Sequence, residues 1–372
     1  MNASPPSMTT IEEKVRAGVR LDAEDGVFLF EKADFLRLGR LAREAKVRKS
    51  GTFAYFNVNR HINLTNICVS RCRFCAFCRE EGDPEAYLMS VEDALRSAEE
   101  ALPLGITELH IVSGLHPTQP FEYYEDVIRQ CRERFPSLHL QAFTAVEIGY
   151  FAEISGHPVE VVLRRLKDAG LGSLPGGGAE IFNPALRRKI CRRKATAREW
   201  LQVMRTAHTI GLRSNATMLY GHLESPLDRV EHLLRLRELQ DETGGFQSFI
   251  PLPFHPANTE LSHLARTSAH DDLRTMAVSR LLLDNFMHVK AFWIMLGLKI
   301  AQISLFFGSD DLDGTVVEER ITHAAGATTG QYLSRADLLD IIREAGCTPV
   351  ERDTLYSHIT EYAGTARTQP TS

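Results

Sequence analysis

The chain has 372 residues, 44% hydrophobic and 24% charged, with a formal net charge of −5. That is room for one large domain or two modest ones, in a composition typical of a water-soluble globular protein. The charge balance gives no reason to expect nucleic acid. No stretch approaches the ~18 uninterrupted apolar residues of a membrane helix, and MNASPPSMTTIEEKV lacks the apolar centre of a signal peptide, so the expected compartment is the cytoplasm, away from any membrane.

The first fifty residues predict two helices, TIEEKVRAGV and KADFLRLGRLAREAKVRK, joined by LDAEDGVFLFE. Phe35, Leu36, Leu38 and Leu41 fall near a helical period, so the second helix should dock one face on something larger. Residues 1–53 are taken as an N-terminal helical extension. From about Phe56 onward, short apolar runs alternate with charged amphipathic stretches. The expected strands are FNVNRHINLT, ELHIVSG, LHLQAFTA, GSLPGGGAEI, RSNATMLYG, GFQSFIPLP and KAFWIMLGL followed by AQISLFF. Helical stretches such as YEDVIRQCRERF, AREWLQVMRTAHTIG and PLDRVEHLLRLRELQDETG separate them. Six or more such β-α units predict an α/β chain with a complete or partial TIM-type barrel over 54–307, its chemistry on loops at the C-terminal ends of the strands. Residues 308–362 read as a C-terminal cap that, with the N-terminal helices, would enclose the barrel, and 363–372 as a disordered tail.

Four of the seven cysteines, Cys68, Cys72, Cys75 and Cys78, fall within eleven residues directly after the first barrel strand; Cys131, Cys191 and Cys347 are scattered. An odd, crowded set points to metal or redox chemistry rather than to a disulfide framework. Cys68, Cys72 and Cys75 have the spacing C-x3-C-x2-C. Three thiolates on one loop can hold three irons of a 4Fe-4S cubane and leave the fourth open to a substrate, whereas zinc and electron-transfer clusters normally take four protein ligands. Two other readings stay open: a zinc site with Cys78 as fourth ligand, although zinc ligands usually come as two separated pairs, and a ferredoxin-like carrier, although most of the chain would then lack a role.

Around this loop the polar residues gather at strand ends. Phe74 is placed to pack over a cluster or an adenine. Ser113 and Gly114 end a strand with a backbone edge suited to an amino acid. Gly176, Gly177 and Gly178 permit close approach but lack the Lys-Ser or Lys-Thr of a phosphate loop. Glu147 and Glu180 sit where a carboxylate could accept from ribose hydroxyls or an ammonium. His61, Asn63, Asn215, Tyr220, His222 and His255 are candidate substrate contacts, with Asn66, Arg60 and Arg71 nearby. The acidic DDLDGTVVEE lacks the pattern of a calcium loop, since neighbouring carboxylates do not face one site.

The C-x3-C-x-F-C loop resembles the radical SAM superfamily. The runs FNVNRHINLTNIC, RCRFCAF, ELHIVSGLHP, FTAVEI, LPGGGAEIF, SNATMLYGH, RELQDETGGFQSFIPLPFHPANTEL and DDLDGTVVEE resemble, more narrowly, its members in the futalosine route to menaquinone, from about residue 20 to residue 360. The resemblance implies a 4Fe-4S cluster on Cys68, Cys72 and Cys75, with S-adenosylmethionine as cosubstrate chelated through its methionine part to the open iron. It also implies a reductant such as flavodoxin or ferredoxin. The implied reaction adds a 5'-deoxyadenosyl radical to the enol ether of 3-(1-carboxyvinyloxy)benzoate; the alternative within the group is hydrogen abstraction that cyclises dehypoxanthine futalosine. Two positions depart from the pattern: Cys78, where glycine or arginine is usual, and Ser113, where a glycine pair would meet the methionine amino group.

Overall fold

The computed structural model describes residues 5–363, so all but the first residue of the expected tail lies outside the described residues. Three helices open the chain: α1 (Met8–Arg16), α2 (Ala23–Glu31) and α3 (Phe35–Ser50). The strands are β1 (Phe53–Asn57), β2 (Asn59–Ile62), β3 (Glu108–Ile111), β4 (His139–Ala142), β5 (Ser173–Leu174), β6 (Arg213–Tyr220), β7 (Phe246–Pro253), β8 (His288–Val289), β9 (Asp311–Gly314), β10 (Thr348–Arg352) and β11 (Ile359–Glu361). Between and after them run α4 (Val91–Glu99), α5 (Phe121–Arg134), α6 (Ala145–Ser155), α7 (Val159–Ala169), α8 (Pro184–Ile190), α9 (Ala197–Thr209), α10 (Pro226–Thr243), α11 (Ala269–Leu282), α12 (Trp293–Leu296), α13 (Leu298–Ser304), α14 (Ile321–Ala324) and α15 (Arg335–Glu344). None of the described helices is long and apolar enough to cross a membrane.

β2 to β8 form one parallel sheet in chain order, curled into a partial barrel. Four of the helices that return the chain start on capping boxes: Ser90 with Asp93, Thr144 with Glu147, Thr196 with Glu199 and Ser225 with Asp228 each satisfy two otherwise orphaned backbone donors. The loops before these four helices therefore end at a defined residue. Phe121, Tyr124, Phe143, Phe151, Trp200 and Phe246 fill the space between sheet and helices and are almost fully buried.

Several elements differ from the expectations. FNVNRHINLT is two strands, because the chain breaks at Val58 and β1 joins a second sheet with order β11-β10-β1-β9. LDAEDGVFLFE contains α2, started by an Asp22–Asp25 capping box. AQISLFF lies in and after α13; a short apolar run fits a buried helix as well as a strand. Residues 310–317, expected in the cap, instead run along the barrel's open side. Asp310 N donates to Val289 O (3.1 Å), Ala291 N to Asp311 O (2.8 Å), Val317 N to Asn59 O (3.2 Å) and His61 N to Val317 O (3.0 Å), joining the β8 edge to the β2 edge.

DDLDG is thus a seam, and its acids face cations. Asp310 pairs with Arg280 (2.6 Å) and His288 (2.9 Å), Asp311 with Arg352 (2.6 Å) and Tyr356 (2.6 Å), Asp313 with Lys290 (3.2 Å). The N-terminal helices pack on the flank against α10 and α11: Arg274 donates to Leu29 O and Ala33 O, and Arg237 to Leu21 O. They do not enclose the barrel mouth, since no described residue before His61 lines the cavity there.

Candidate active site

A cavity of about 350 Å³ opens at the C-terminal ends of the barrel strands. Its wall comes from the loop after β2, the ends of β3, β4 and β5, alternate residues of β6 and β7, and the segment 319–325. This is where a β/α barrel keeps its chemistry.

Cys68, Cys72, Cys75 and Cys78 all line this cavity. Their loop is pinned on two sides: Cys68 N donates to Arg79 O (3.3 Å) and Val69 N to Leu115 O (3.0 Å), while Arg73 N donates to Ile190 O (2.8 Å). Cys78 Sγ donates to Cys68 O (3.3 Å). The Cys68 thiol is pulled down to about 5, first by its hydrogen bond with the Cys78 thiol and then by backbone donors, against burial. Burial pushes the Cys72 and Cys75 thiols up. Among the described residues, no three His, Cys, Asp or Glu side chains converge on a single-ion site. A tetrahedral zinc needs four sulfurs about 2.3 Å from one point, whereas a cubane takes each thiolate on a different iron and spreads them around a space. The thiols here surround a cavity.

Beside the loop stands a residue that the motifs do not single out. Lys194 Nζ lies 2.6 Å from Glu180 Oε1 and 5.5 Å from the Phe74 ring centre, all three on the cavity wall. Burial alone would favour the neutral amine, but Glu180 and the thiols of Cys72 and Cys191 hold Lys194 protonated above the usual lysine range. Glu180 has φ +49°, a left-handed backbone that few side chains adopt, which turns its carboxylate inward. Lys194 ends the run RRKICRRK, where a lysine reads as solvated surface; its inward turn has no sequence signal.

Glu147 is buried and receives Ser113 N (2.8 Å), Thr144 N (2.7 Å) and Thr144 Oγ1 (2.7 Å). Burial raises its carboxyl to about 7 even against these donors. The edge at Ser113–Gly114 is therefore not free in the way expected: Ser113 N is held by Glu147 and Gly114 N by Thr65 O (2.9 Å). What faces the cavity is acceptor-rich. The hydroxyls of Ser113 and Ser70 are buried on its wall without a partner. Gly114 is fixed by contact, since a Cβ there would lie 2.4 Å from Ile67 O. Gly176, in the Gly-rich run, passes 2.8 Å from the Ala216 backbone by the same measure, so that glycine serves strand packing.

The cavity floor is a polar belt. His61 stacks on His110 (4.4 Å), His110 Nδ1 meets Gln141 Oε1 (3.1 Å), and Ser248 Oγ donates to Asn215 Oδ1 (2.8 Å). Burial, reinforced by His110, holds His61 neutral. His255 lies on the opposite wall, bonded to Met295 O (2.8 Å) and Arg266 (2.9 Å). Thus Phe74, Ser113, Gly114, Glu147, Glu180, His61, Asn215 and His255 come together with the cysteines.

Asn63, Tyr220 and His222 do not. Asn63 Nδ2 binds Val112 O (3.1 Å), Tyr220 OH binds Asp272 (2.9 Å) behind the sheet, and His222 is buried between Leu219 O (3.1 Å) and Glu224 (3.0 Å). Period-two alternation explains Tyr220, because Asn215, Thr217 and Leu219 take the inner face of β6. Arg60 is bound to Glu318 and Ser97, and Arg71 to Glu80, all outside the cavity. Cavity residues that the sequence reading missed include His110, Gln141, Lys194 and Ser70.

Comparison with known proteins matches residues 62–236 to the radical SAM superfamily and 243–363 to the CofH/MqnC C-terminal region. The chain is 48% identical over 365 residues to an aminodeoxyfutalosine synthase of Streptomyces coelicolor, covering 95% of this chain and 94% of that one. It is 47% identical to the Thermus thermophilus protein of that name, covering 95% and 96%. A 5-amino-6-(D-ribitylamino)uracil--L-tyrosine 4-hydroxyphenyl transferase of Methanopyrus kandleri is 40% identical, with 96% and 99% covered. Among solved structures, the hydrogenase maturase HydG of Carboxydothermus hydrogenoformans superposes with a TM-score of 0.74 at 18% identity, over 94% of this chain and 80% of that one, a likeness of fold.

Proposed function

The chain belongs to the radical SAM superfamily, in the group that carries the CofH/MqnC C-terminal region, and from that premise we propose that it is a transferase joining the adenosyl group of S-adenosylmethionine to 3-(1-carboxyvinyloxy)benzoate. The product would be aminodeoxyfutalosine, released with methionine and bicarbonate, in menaquinone biosynthesis. The observation that carries this reading is one cavity with the C-x3-C-x2-C thiols at its mouth and a polar belt at its floor, in a chain nearly half identical to two aminodeoxyfutalosine synthases over almost its whole length.

A 4Fe-4S cluster, when bound, supplies the one electron that splits the sulfonium of S-adenosylmethionine into methionine and the adenosyl radical. Cys68, Cys72 and Cys75 would hold it. The fit rests on their shared cavity and on the unpartnered hydroxyls of Ser70 and Ser113 beside them. Cys78 is left as a hydrogen-bond partner of Cys68. Lys194 adds a buried positive charge next to Cys72, which offsets the charge of the thiolates. Glu180 offers an acceptor to the ammonium or ribose hydroxyls of the cosubstrate, and Glu147, both of whose oxygens are taken by Ser113 and Thr144, fixes the Ser113 backbone. The wall is mostly apolar, from Phe74, Val112, Leu219, Ile250, Leu252, Phe254 and Phe292. That lining keeps water and stray donors from the adenosyl carbon while the enol ether is held against it. We assign His61 and Asn215 on the floor to the benzoate end, while His255, whose ring nitrogens are taken by Met295 O and Arg266, shapes the wall at the enolpyruvyl end.

The electron comes from a one-electron carrier such as flavodoxin or ferredoxin. The cytoplasm suits such a cluster, and the seven cysteines are free thiols. Anaerobic incubation of reconstituted protein with dithionite, S-adenosylmethionine and the enol-ether benzoate tests the reading by mass spectrometry. An adenosyl adduct is expected. Free 5'-deoxyadenosine without an adduct would instead assign the hydrogen-abstracting chemistry of the group.

A further inference from the structure

Residues 187–194, RRKICRRK, hold six basic and no acidic residues in a chain of net charge −5. Two turn inward: Arg187 is buried against the carbonyls of Ala179, Ile181 and Ala195, and Lys194 pairs with Glu180. The other four, Arg188, Lys189, Arg192 and Arg193, are exposed, and among the described residues none has an acidic partner. Among the described residues, exposed arginines without an ion pair occur elsewhere too, at Arg40, Arg48, Arg198 and Arg213, but not as four cations in one run with no acidic residue. Arg16, Arg20, Arg37, Arg96, Arg134, Arg164, Arg205 and Arg335 each lie within 4 Å of a carboxylate.

The patch is attached to the cysteine loop. Arg73, the residue after Cys72, donates through its backbone to Ile190 O (2.8 Å) and through its guanidinium to Lys189 O (3.3 Å), and Cys191 is buried on the Cys72 side. On the other side of the loop the charges are compensated, since Glu80 pairs with Arg71 and Asp83 and Glu85 pair with Arg79. The uncompensated positive charge beside the loop thus lies on the Cys72 side.

We infer that the surface formed by Arg188, Lys189, Arg192 and Arg193 is the docking face for an acidic one-electron carrier, which delivers the electron on the Cys72 side. The inference rests on the proposed function, since only a reduced cluster gives this cavity a need for electrons. Uncompensated like charges raise the encounter rate with a complementary partner by roughly 10- to 1000-fold and lose that effect as salt rises. A short hydrogen-bonded connection from the patch to the residue beside Cys72 then places the bound carrier close to the cluster.

The test uses reconstituted full-length protein with an acidic flavodoxin, and separately an acidic ferredoxin, at low ionic strength. Carrier affinity is measured by calorimetry and cluster reduction by anaerobic stopped-flow absorbance. R188E/K189E and R192E/R193E are compared with R40E/R48E, which makes the same charge change at exposed positions of α3. Each patch variant is expected to weaken affinity and slow reduction at least tenfold for one or both carriers, with R40E/R48E within twofold of wild type and dithionite-driven adduct formation unchanged. Equal effects of patch and control variants would overturn the docking face, as would patch variants that bind both carriers like wild type. Loss of dithionite turnover in the patch variants would also overturn it, by placing these residues in the fold or the cavity. If reduction proceeds as expected but wild type forms no adduct, the proposed function fails and the docking face stands.

Discussion

Two regions of this molecule concentrate buried charge, and they are built to opposite rules. At the seam, every carboxylate oxygen of Asp310 and Asp311 accepts a hydrogen bond: from Arg280, Val289 N and His288 in one case, and from Asp313 N, Arg352 and Tyr356 in the other. Around the cysteine loop, the hydroxyls of Ser70 and Ser113 have no partner, and Glu180 and Lys194 share one contact on the wall of a cavity. Buried charge alone does not mark a site. Unfinished hydrogen bonding that faces a space does, because a folded chain leaves such groups unpaired at a cost of roughly 1–3 kcal/mol each unless something else completes them.

The largest effect that would break this comparison belongs to the cysteine loop. Cys72→Ala, Cys68→Ala and Cys75→Ala should each abolish adenosyl adduct formation, by more than about a thousandfold on the scale of removing a group needed for the chemistry, with iron content falling in parallel. Cys78→Ala should keep iron and adduct. Adduct formation by Cys72→Ala would remove the thiols from the site. Next comes the seam. Asp310→Ala strands Arg280 and His288 and should destabilise the fold by about 3–5 kcal/mol in chemical denaturation. The Asp310 carboxyl lies well below its ordinary range: burial pushes it up, but Arg280 and His288 outweigh burial. A depressed carboxyl contributes stability above its unfolded pKa of about 3.9, lost as pH falls below that. Wild type should therefore lose stability below about pH 4 more steeply than Asp310→Asn. Parallel acid profiles would show that the seam is not held by this charge.

How much of this was legible beforehand follows the same division. The barrel could be read because its strands and helices differ in period, and the cysteine loop because three thiols at fixed spacing have few other uses. The seam in the C-terminal segment was not legible, because the acids of DDLDG are paired by Arg280 and Arg352 from distant parts of the chain. Tyr220 could have been excluded by alternation along β6, with Asn215 and Thr217 on the inner face. Lys194 could not, since its direction depends on Glu180 in a left-handed turn fourteen residues earlier.

A smaller change sharpens the contrast where the two kinds of charge meet. Lys194→Met leaves Glu180 buried alone and should lower both stability and adduct formation, the latter by about 10- to 100-fold, a loss of about 1.4–2.7 kcal/mol in transition-state stabilisation. Combining it with Glu180→Gln removes the stranded charge and should restore most of the stability but little of the activity. Recovery of both would make the pair a piece of the seam's kind, structural and dispensable for chemistry.

The smallest effect is expected where a carboxylate lines the cavity yet is fully used. Both oxygens of Glu319 accept from Thr322 N and from His323, with the Thr322 hydroxyl adding a third donor. By the rule drawn from the seam, Glu319 is a structural residue although it stands on the wall. The hydrogen bond to Glu319 raises His323 to about 9. The stability from this pair is therefore fully present below the unfolded histidine value of about 6.5 and is lost as pH rises through about 9. His323→Ala should cost only about 0.5–1 kcal/mol at pH 6, since the ring is partly exposed and screened. The difference from wild type should shrink toward pH 10, with adduct formation within about twofold throughout on the same scale. A loss of activity far beyond the loss of stability would show that hydrogen-bond completeness does not separate scaffold from site, and would make Glu319 a group that meets the substrate.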